Sequence, residues 1–230
     1  MGLAWQRIRV GDSHLNLLHA ERMILGFSEK GIGVKELIRH LGEPVWTELK
    51  QTHSSTIHHA DRVGRGMAGD GLILTERRRL AVIKTADCLP LFFWDDASPC
   101  GGIVHIGWRG LAHGIERTLV ESLQVIGRRP DRFRFFMGPV IESRCYPVGQ
   151  EVTEAFANHP FKNDLIGRSL SGQTTLDISA GVRCALLQSG VPHTRIAESG
   201  LCTFCERDRF PSFRREGKSA SRIYNFMMFT

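Results

Sequence analysis

Three short apolar runs, all between positions 80 and 106, constrain this chain most: Leu80 to Lys84, Leu91 to Trp94 and Gly102 to Ile106. Each is too short for a helix and apolar at consecutive positions, which fits buried β-strands. Polar residues break them at chosen places. Thr85-Ala86-Asp87-Cys88 separates the first two runs, and His105 interrupts the third just before Gly107. Leu111, Ile115, Leu119, Leu123 and Ile126 then recur at helical spacing, predicting one helix that Gly127 and Pro130 end.

The same reading extends to both sides. Met23 to Phe27 is a strand, and Ser28 is a candidate cap for a helix carrying Val34, Leu37, Ile38 and Leu41, stopped by Gly42-Glu43-Pro44. Val45 to Leu49 is a strand leading to His53, residues 54–69 form a polar loop, and Gly71 to Thr75 is a strand. Phe133 to Met137 is a buried strand, and Val148, Val152, Ala155 and Phe156 suggest a short helix. Asp177 caps a helix with Ile178, Val182, Ala185 and Leu186 on one face and Gly190 at its end. Arg195 to Ala197 and Ile223 to Phe229 are late strands. Strands and helices mix without a βαβ rhythm, which points to an α+β fold with a mixed sheet. No linker or repeat divides residues 1–230, so one domain is expected.

Hydrophobic residues make up 42% and charged residues 23%, as in globular proteins, and the net charge is +6. A positive field favours anionic partners. The basic runs Arg77-Arg78-Arg79, Arg128-Arg129 and Arg214-Arg215 come with no nucleic-acid motif, and solvated surface charge is their simplest reading. No stretch is long and apolar enough to span a membrane, and Met1 to Val10 lacks a secretory h-region. A cytoplasmic location is expected, with the six cysteines as thiols.

Among the ten histidines, His14, His19, His40 and His159 sit in polar or helical contexts. His58 and His59 are adjacent and point apart in an extended chain. His105, in contrast, lies at the end of an apolar run that feeds a helix, where a rigid element positions a side chain. Cys88 occupies the polar break, beside Asp87, and His53 follows a strand in Gln-Thr-His-Ser-Ser. The competing readings are a satisfied core histidine and an inert thiol. Taken together, His53, Cys88 and His105 are a candidate open zinc site, with a fourth position left for water or substrate. Asp70, between two glycines, is a turn residue, a ligand orienter or a proton carrier. Arg109 and Arg214 are candidate anion holders. Cys202-Thr203-Phe204-Cys205 is a C-x-x-C pair without a second pair to complete a structural zinc site.

The motifs occur in a recognisable order: Thr85-Ala86-Asp87-Cys88-Leu89-Pro90, His105-Ile106-Gly107-Trp108-Arg109-Gly110, Gly138-Pro139-Val140-Ile141, Cys145-Tyr146-Pro147-Val148-Gly149, Cys202-Thr203 and Ser212-Phe213-Arg214-Arg215. This pattern resembles the bacterial YfiH-like family, also called the purine nucleoside phosphorylase or polyphenol oxidase (laccase-domain) family, which includes the peptidoglycan editing factor. The resemblance implies a four-layer α+β sandwich with mixed sheets flanked by helices. It also implies zinc on His53, Cys88 and His105, with copper as the other metal the family names suggest. The implied partners are small molecules, a nucleoside and phosphate. The implied reactions are phosphorolysis of adenosine, inosine and methylthioadenosine, and deamination of adenosine. For these, charge and position in the sequence make Cys88, His105, Asp70 and Arg109 the catalytic candidates and Arg109 and Arg214 the substrate-binding ones. Two alternatives stand beside this: an amidase editing peptidoglycan precursors, with zinc hydroxide or Cys88 as nucleophile, and a copper polyphenol oxidase. Against the latter, no His-x-His pair occurs in the chain.

Overall fold

The computed structural model describes residues 5–20 and 22–230; part of the N-terminal stretch read for a leader lies outside them. In chain order the strands are β1 (Trp5–Val10), β2 (Ser13–Ala20), β3 (Met23–Ser28), β4 (Val45–Glu48), β5 (Ile57–His59), β6 (Gly71–Leu74), β7 (Arg79–Thr85), β8 (Leu89–Asp95), β9 (Gly101–Ile106), β10 (Phe133–Met137), β11 (Ile166–Arg168), β12 (Thr174–Leu176), β13 (Ile196–Glu198) and β14 (Ile223–Phe229). The helices are α1 (Val34–His40), α2 (Trp108–Ala112), α3 (Ile115–Val125), α4 (Gln150–Ala155), α5 (Lys162–Leu165), α6 (Ile178–Gln188) and α7 (Phe213–Glu216).

Two six-stranded sheets form the body. The first runs β1-β2-β3-β14-β7-β4 and the second β13-β10-β8-β9-β6-β5. Both are mixed: β4 lies parallel to β7 in the first, and β5 to β6 and β13 to β10 in the second. Strand alternation explains the continuous apolar runs, because each face of these strands meets a different layer. In β7, Ala81 and Ile83 face the second sheet, while Leu80 and Val82 join Leu37 of α1 on the outer side. In β8, Phe92 and Trp94 join the inter-sheet cluster, while Leu89, Leu91 and Phe93 pack with Leu111, Leu119, Leu123, Val182 and Leu186 of α2, α3 and α6. The order is therefore helix, sheet, sheet, helices, the four-layer α+β sandwich. Phe92 is fully buried at the inter-sheet seam, so truncating it to Ala costs about 3–5 kcal/mol.

Local structure departs from the sequence reading in several places. The helix expected from Leu111 to Ile126 is two helices, broken at Gly114, whose φ of +73° ends one and starts the other. Apolar spacing continues across the break because both pieces pack on the same sheet. Ser28 caps no helix; its hydroxyl accepts from the Tyr224 amide at 2.9 Å, tying β3 to β14, and the residue at the N-cap of α1 is Gly33. The polar segment 54–69 contains β5, a short edge strand. The Asp177 cap is as expected, its carboxylate accepting from the Ala180 amide at 2.9 Å.

Candidate active site

Chain connectivity assembles the site. His53 lies in the crossover from β4 of the first sheet to β5 of the second, and Cys88 in the crossover from β7 to β8. Since β4 and β7 are parallel neighbours, both crossovers leave the first sheet at the same end of its strands. His105 comes from within the second sheet, near the end of β9. The three donor atoms lie within 4.8 Å of one another. Cys88 Sγ stands 3.9 Å from His53 Nε2, and the two imidazoles meet edge to face with centroids 4.9 Å apart. Gly107, which follows β9, is required by this crowding: a Cβ there would come within 2.7 Å of His53 Cδ2 and 3.1 Å of Cys88 Sγ.

Asp70 stands directly behind this group. It is fully buried, and its backbone carbonyl accepts from the His105 amide at 2.7 Å. Its Oδ1 accepts from His105 Nδ1 at 2.8 Å and the His53 amide at 3.0 Å. Its Oδ2 accepts from the Ser54 amide and hydroxyl, both at 2.7 Å, and the Thr52 amide at 3.2 Å. A carboxylate only accepts, so Nδ1 of His105 carries a proton and Nε2 is the ring nitrogen turned toward the site. Burial opposes ionisation of Asp70, but the His105 and Ser54 hydrogen bonds overcome it and hold the carboxyl well below its usual range.

A second carboxylate fixes the Cys88 turn. Asp87 adopts φ +88°, uncommon for a residue with a side chain. Its Oδ1 accepts from Thr203 Oγ1 at 2.6 Å, its Oδ2 from Ser212 Oγ at 3.0 Å and the Arg214 amide at 2.6 Å, and its carbonyl from the Ile141 amide at 3.0 Å. These contacts, from three distant segments, compensate a strain of about 1–3 kcal/mol. Cys88 is aimed between the two histidines as a result. Burial opposes its ionisation, yet His105 and His53 beside it bring the thiol down to about 6; burial likewise opposes the charged His105, which Cys88 and Asp70 nonetheless push up to about 9. Two imidazole nitrogens and a readily ionised sulfur converging within 4.8 Å fit a borderline-soft divalent ion, which would displace the ring and thiol protons on binding.

The group opens into a cavity of about 790 Å³ with a basic lining, Lys50, Lys84, Arg109, Arg214 and Arg222, and three aromatic residues, Trp108, Tyr146 and Phe213. Arg109 is exposed; its guanidinium lies 4.1 Å from the Trp108 ring centroid and 2.8 Å from Glu151. Arg214 lies over the Tyr146 ring at 4.9 Å and donates to the Pro147 carbonyl at 2.7 Å. Arg215 turns away and binds the carbonyls of Thr203, Phe204 and Phe210. Burial, then Cys88, push the Tyr146 hydroxyl upward, keeping it a protonated donor. Thus the structure brings His53, Cys88, His105, Arg109 and Arg214 to one cavity, and places Asp70 behind the wall, outside its lining. Sequence reasoning missed Lys84 and Arg222, and it quoted Thr203 and Ser212 in motifs without assigning them to Asp87; these roles depend on contacts across the fold.

A family model described as multi-copper polyphenol oxidoreductase laccase matches residues 34–230. The chain belongs to this laccase-domain family, the YfiH-like family. It is 31% identical over 227 residues to adenosine deaminase RL5 from an unknown prokaryotic organism, covering 94% of this chain and 82% of that protein. It is 30% identical over 194 residues to purine nucleoside phosphorylase YlmD of Bacillus subtilis, covering 79% and 70%. The crystal structure of YlmD from Geobacillus stearothermophilus superimposes with a TM-score of 0.86 at 25% identity, covering 99% of each chain. That of the Bacillus licheniformis hypothetical protein YfiH gives 0.87 at 25%, covering 96% and 98%.

Proposed function

We propose that this family member is a zinc-dependent purine nucleoside enzyme, catalysing phosphorolysis of adenosine, inosine and methylthioadenosine and deamination of adenosine. The observation that carries the reading is the His53–Cys88–His105 group on the wall of a basic, aromatic-walled cavity. Relatives named adenosine deaminase and purine nucleoside phosphorylase support the substrate class. His53, Cys88 and His105 hold the metal, which when bound supplies Lewis acidity to the reacting group. Asp70 holds the His105 tautomer and the His53 loop; with its oxygens saturated behind the wall, it is a positioning residue and not a proton carrier. Arg109 and Arg214 at the mouth bind phosphate, and Trp108 and Tyr146 offer flat apolar faces to the purine. Tyr146, kept protonated, donates a hydrogen bond to an acceptor on the substrate.

The test is turnover of adenosine with and without phosphate, with metal analysis of the same samples, for wild-type protein and Cys88→Ala. Zinc bound in the wild type, lost together with turnover in the variant, supports the reading. Full activity and metal content in Cys88→Ala ends it.

A second reading draws on the thiol brought down to about 6 beside imidazoles. Such a cysteine is a competent nucleophile, and an amidase acting on peptidoglycan precursors would use it with His105 as the base. Activity surviving rigorous chelation but lost in Cys88→Ala selects this reading. A copper polyphenol oxidase, the activity in the family description, requires dioxygen uptake with a phenol by copper-loaded protein.

A further inference from the structure

A second group of donors stands apart from the cavity. The sulfurs of Cys145, Cys202 and Cys205 lie within 4.8 Å of one another, with Cys145 and Cys205 at 3.4 Å. None of the three lines the cavity. We propose that Cys145, Cys202 and Cys205 form a separate trithiolate site for a thiophilic d10 ion, zinc(II) or copper(I).

The geometry suits such an ion. With metal–sulfur bonds of about 2.3 Å, sulfurs around a tetrahedral ion sit about 3.8 Å apart, inside the range the three already span. Among the described residues no histidine or carboxylate joins the group, and all-thiolate sets select soft and borderline ions over hard ones. The surroundings provide for negative charge. The Glu142 amide donates to Cys202 Sγ at 3.5 Å, the kind of N–H···S contact that orients a ligand thiolate. Arg144, next to Cys145 in the chain, carries a fixed positive charge and pairs with Glu142 at 2.7 Å. Cys202 is buried, Cys145 half-buried and Cys205 exposed, so an ion has a route in from the Cys205 side.

The site would tie together two segments that meet at the isolated bridge between Val140 and Cys202. Each carries a neighbour that the active site uses. Tyr146 follows Cys145 and walls the cavity, and Thr203 follows Cys202 and holds Asp87. An ion here would brace that wall without touching substrate. The proposal does not depend on which reaction the cavity performs.

The test uses full-length protein purified anaerobically with a phosphine reductant, stripped with chelator, and titrated separately with zinc(II) and copper(I) against competing chelators. Wild type, Cys88→Ala, and Cys88→Ala combined with Cys145→Ser and Cys205→Ser are compared. Cys88→Ala should retain one tight equivalent, and the combined variant should bind at least a hundredfold more weakly. The ion held more tightly against the competitor is the one assigned. Alkylation of metal-loaded wild type, mapped by mass spectrometry, should show Cys145, Cys202 and Cys205 protected together, a readout independent of any variant's folding. Alkylation of all three in loaded protein, or equal binding by Cys88→Ala and the combined variant, would overturn the proposal.

Discussion

Replacing Asp70 by Asn removes one charge and almost no volume, so its effect measures what the carboxylate does. The Oδ2 side faces the Ser54 amide, the Ser54 hydroxyl and the Thr52 amide, all donors. The new amide must therefore keep its oxygen there and turn its NH2 toward the His53 amide and His105 Nδ1. The His53 amide loses its acceptor, which costs about 1–3 kcal/mol, and the remaining bonds weaken as they lose their charge. A total near 3 kcal/mol, at about 2–4 °C per kcal/mol for a chain of this length, lowers Tm by about 6–12 °C. His105 keeps a hydrogen bond only by moving its proton to Nε2, the atom that the proposed metal site uses, so zinc affinity should fall about 10–100-fold. Because the Asp70 carboxyl is held below its usual range, its stabilisation is present above about pH 4 and is lost on further acidification. The gap between wild type and variant should accordingly narrow below about pH 4. Urea unfolding of both metal-free proteins across pH, with zinc competition titrations near neutrality, measures each quantity. Equal midpoints and equal affinities would refute the assignment of Asp70 as the positioning group.

Gly107→Ala places a methyl 2.7 Å from His53 and 3.1 Å from Cys88; metal affinity should drop at least about tenfold while circular dichroism stays native. Glu116 is buried at the start of α3 with Oε2 unpartnered, and burial pushes its carboxyl up to about 7. Its protonated form is the stable one, so stability is full below the usual carboxylate pKa and is lost as pH rises through about 7. Glu116→Gln should thus be near neutral at pH 5 and stabilising by about 2–3 kcal/mol at pH 8, and a pH-independent difference in unfolding midpoint would contradict this. Glu29, buried, receives Arg7, Asn16 and Arg209; burial opposes its ionisation, but these partners bring it down to about 2. Its contribution is present above the usual carboxylate pKa and is lost as pH falls through about 2. Glu29→Gln should cost about 3 kcal/mol near neutrality and little at pH 2, read from acid titration of the fluorescence of unfolding.

How much of this was legible beforehand depended on whether the signal was local. The apolar runs at 80–84, 91–94 and 102–106 declared themselves because strands buried on both faces leave no polar positions. His53, Cys88 and His105 stood out by interrupting or following such runs. In contrast, β1 and β2 carry Arg, Asn and His among their apolar residues, and only the assembled sheet shows that Leu15, Leu17 and Leu18 are buried. Gly114 gave no warning, since the residues on either side keep one periodicity while the backbone turns left-handed between them. The role of Asp70 depended on a register, Gly71 opposite Val104, that sets it beside His105. Cys145 belonged with Cys202 and Cys205 only through a loop closure of about sixty residues.

The two crossovers that carry His53 and Cys88 have a consequence for assembly. Each spans from one sheet to the other, while His105 belongs wholly to the second, so the three donors converge only when the sheets are docked. Metal binding at the proposed site and sheet docking would then draw on one equilibrium: free ion at a thousand times its dissociation constant would favour the docked form by about 4 kcal/mol. Loosening the seam at a remote position such as Phe92 would weaken the apparent affinity for metal without altering a single ligand. Metal occupancy would serve as a gauge of how firmly the halves of the sandwich are closed.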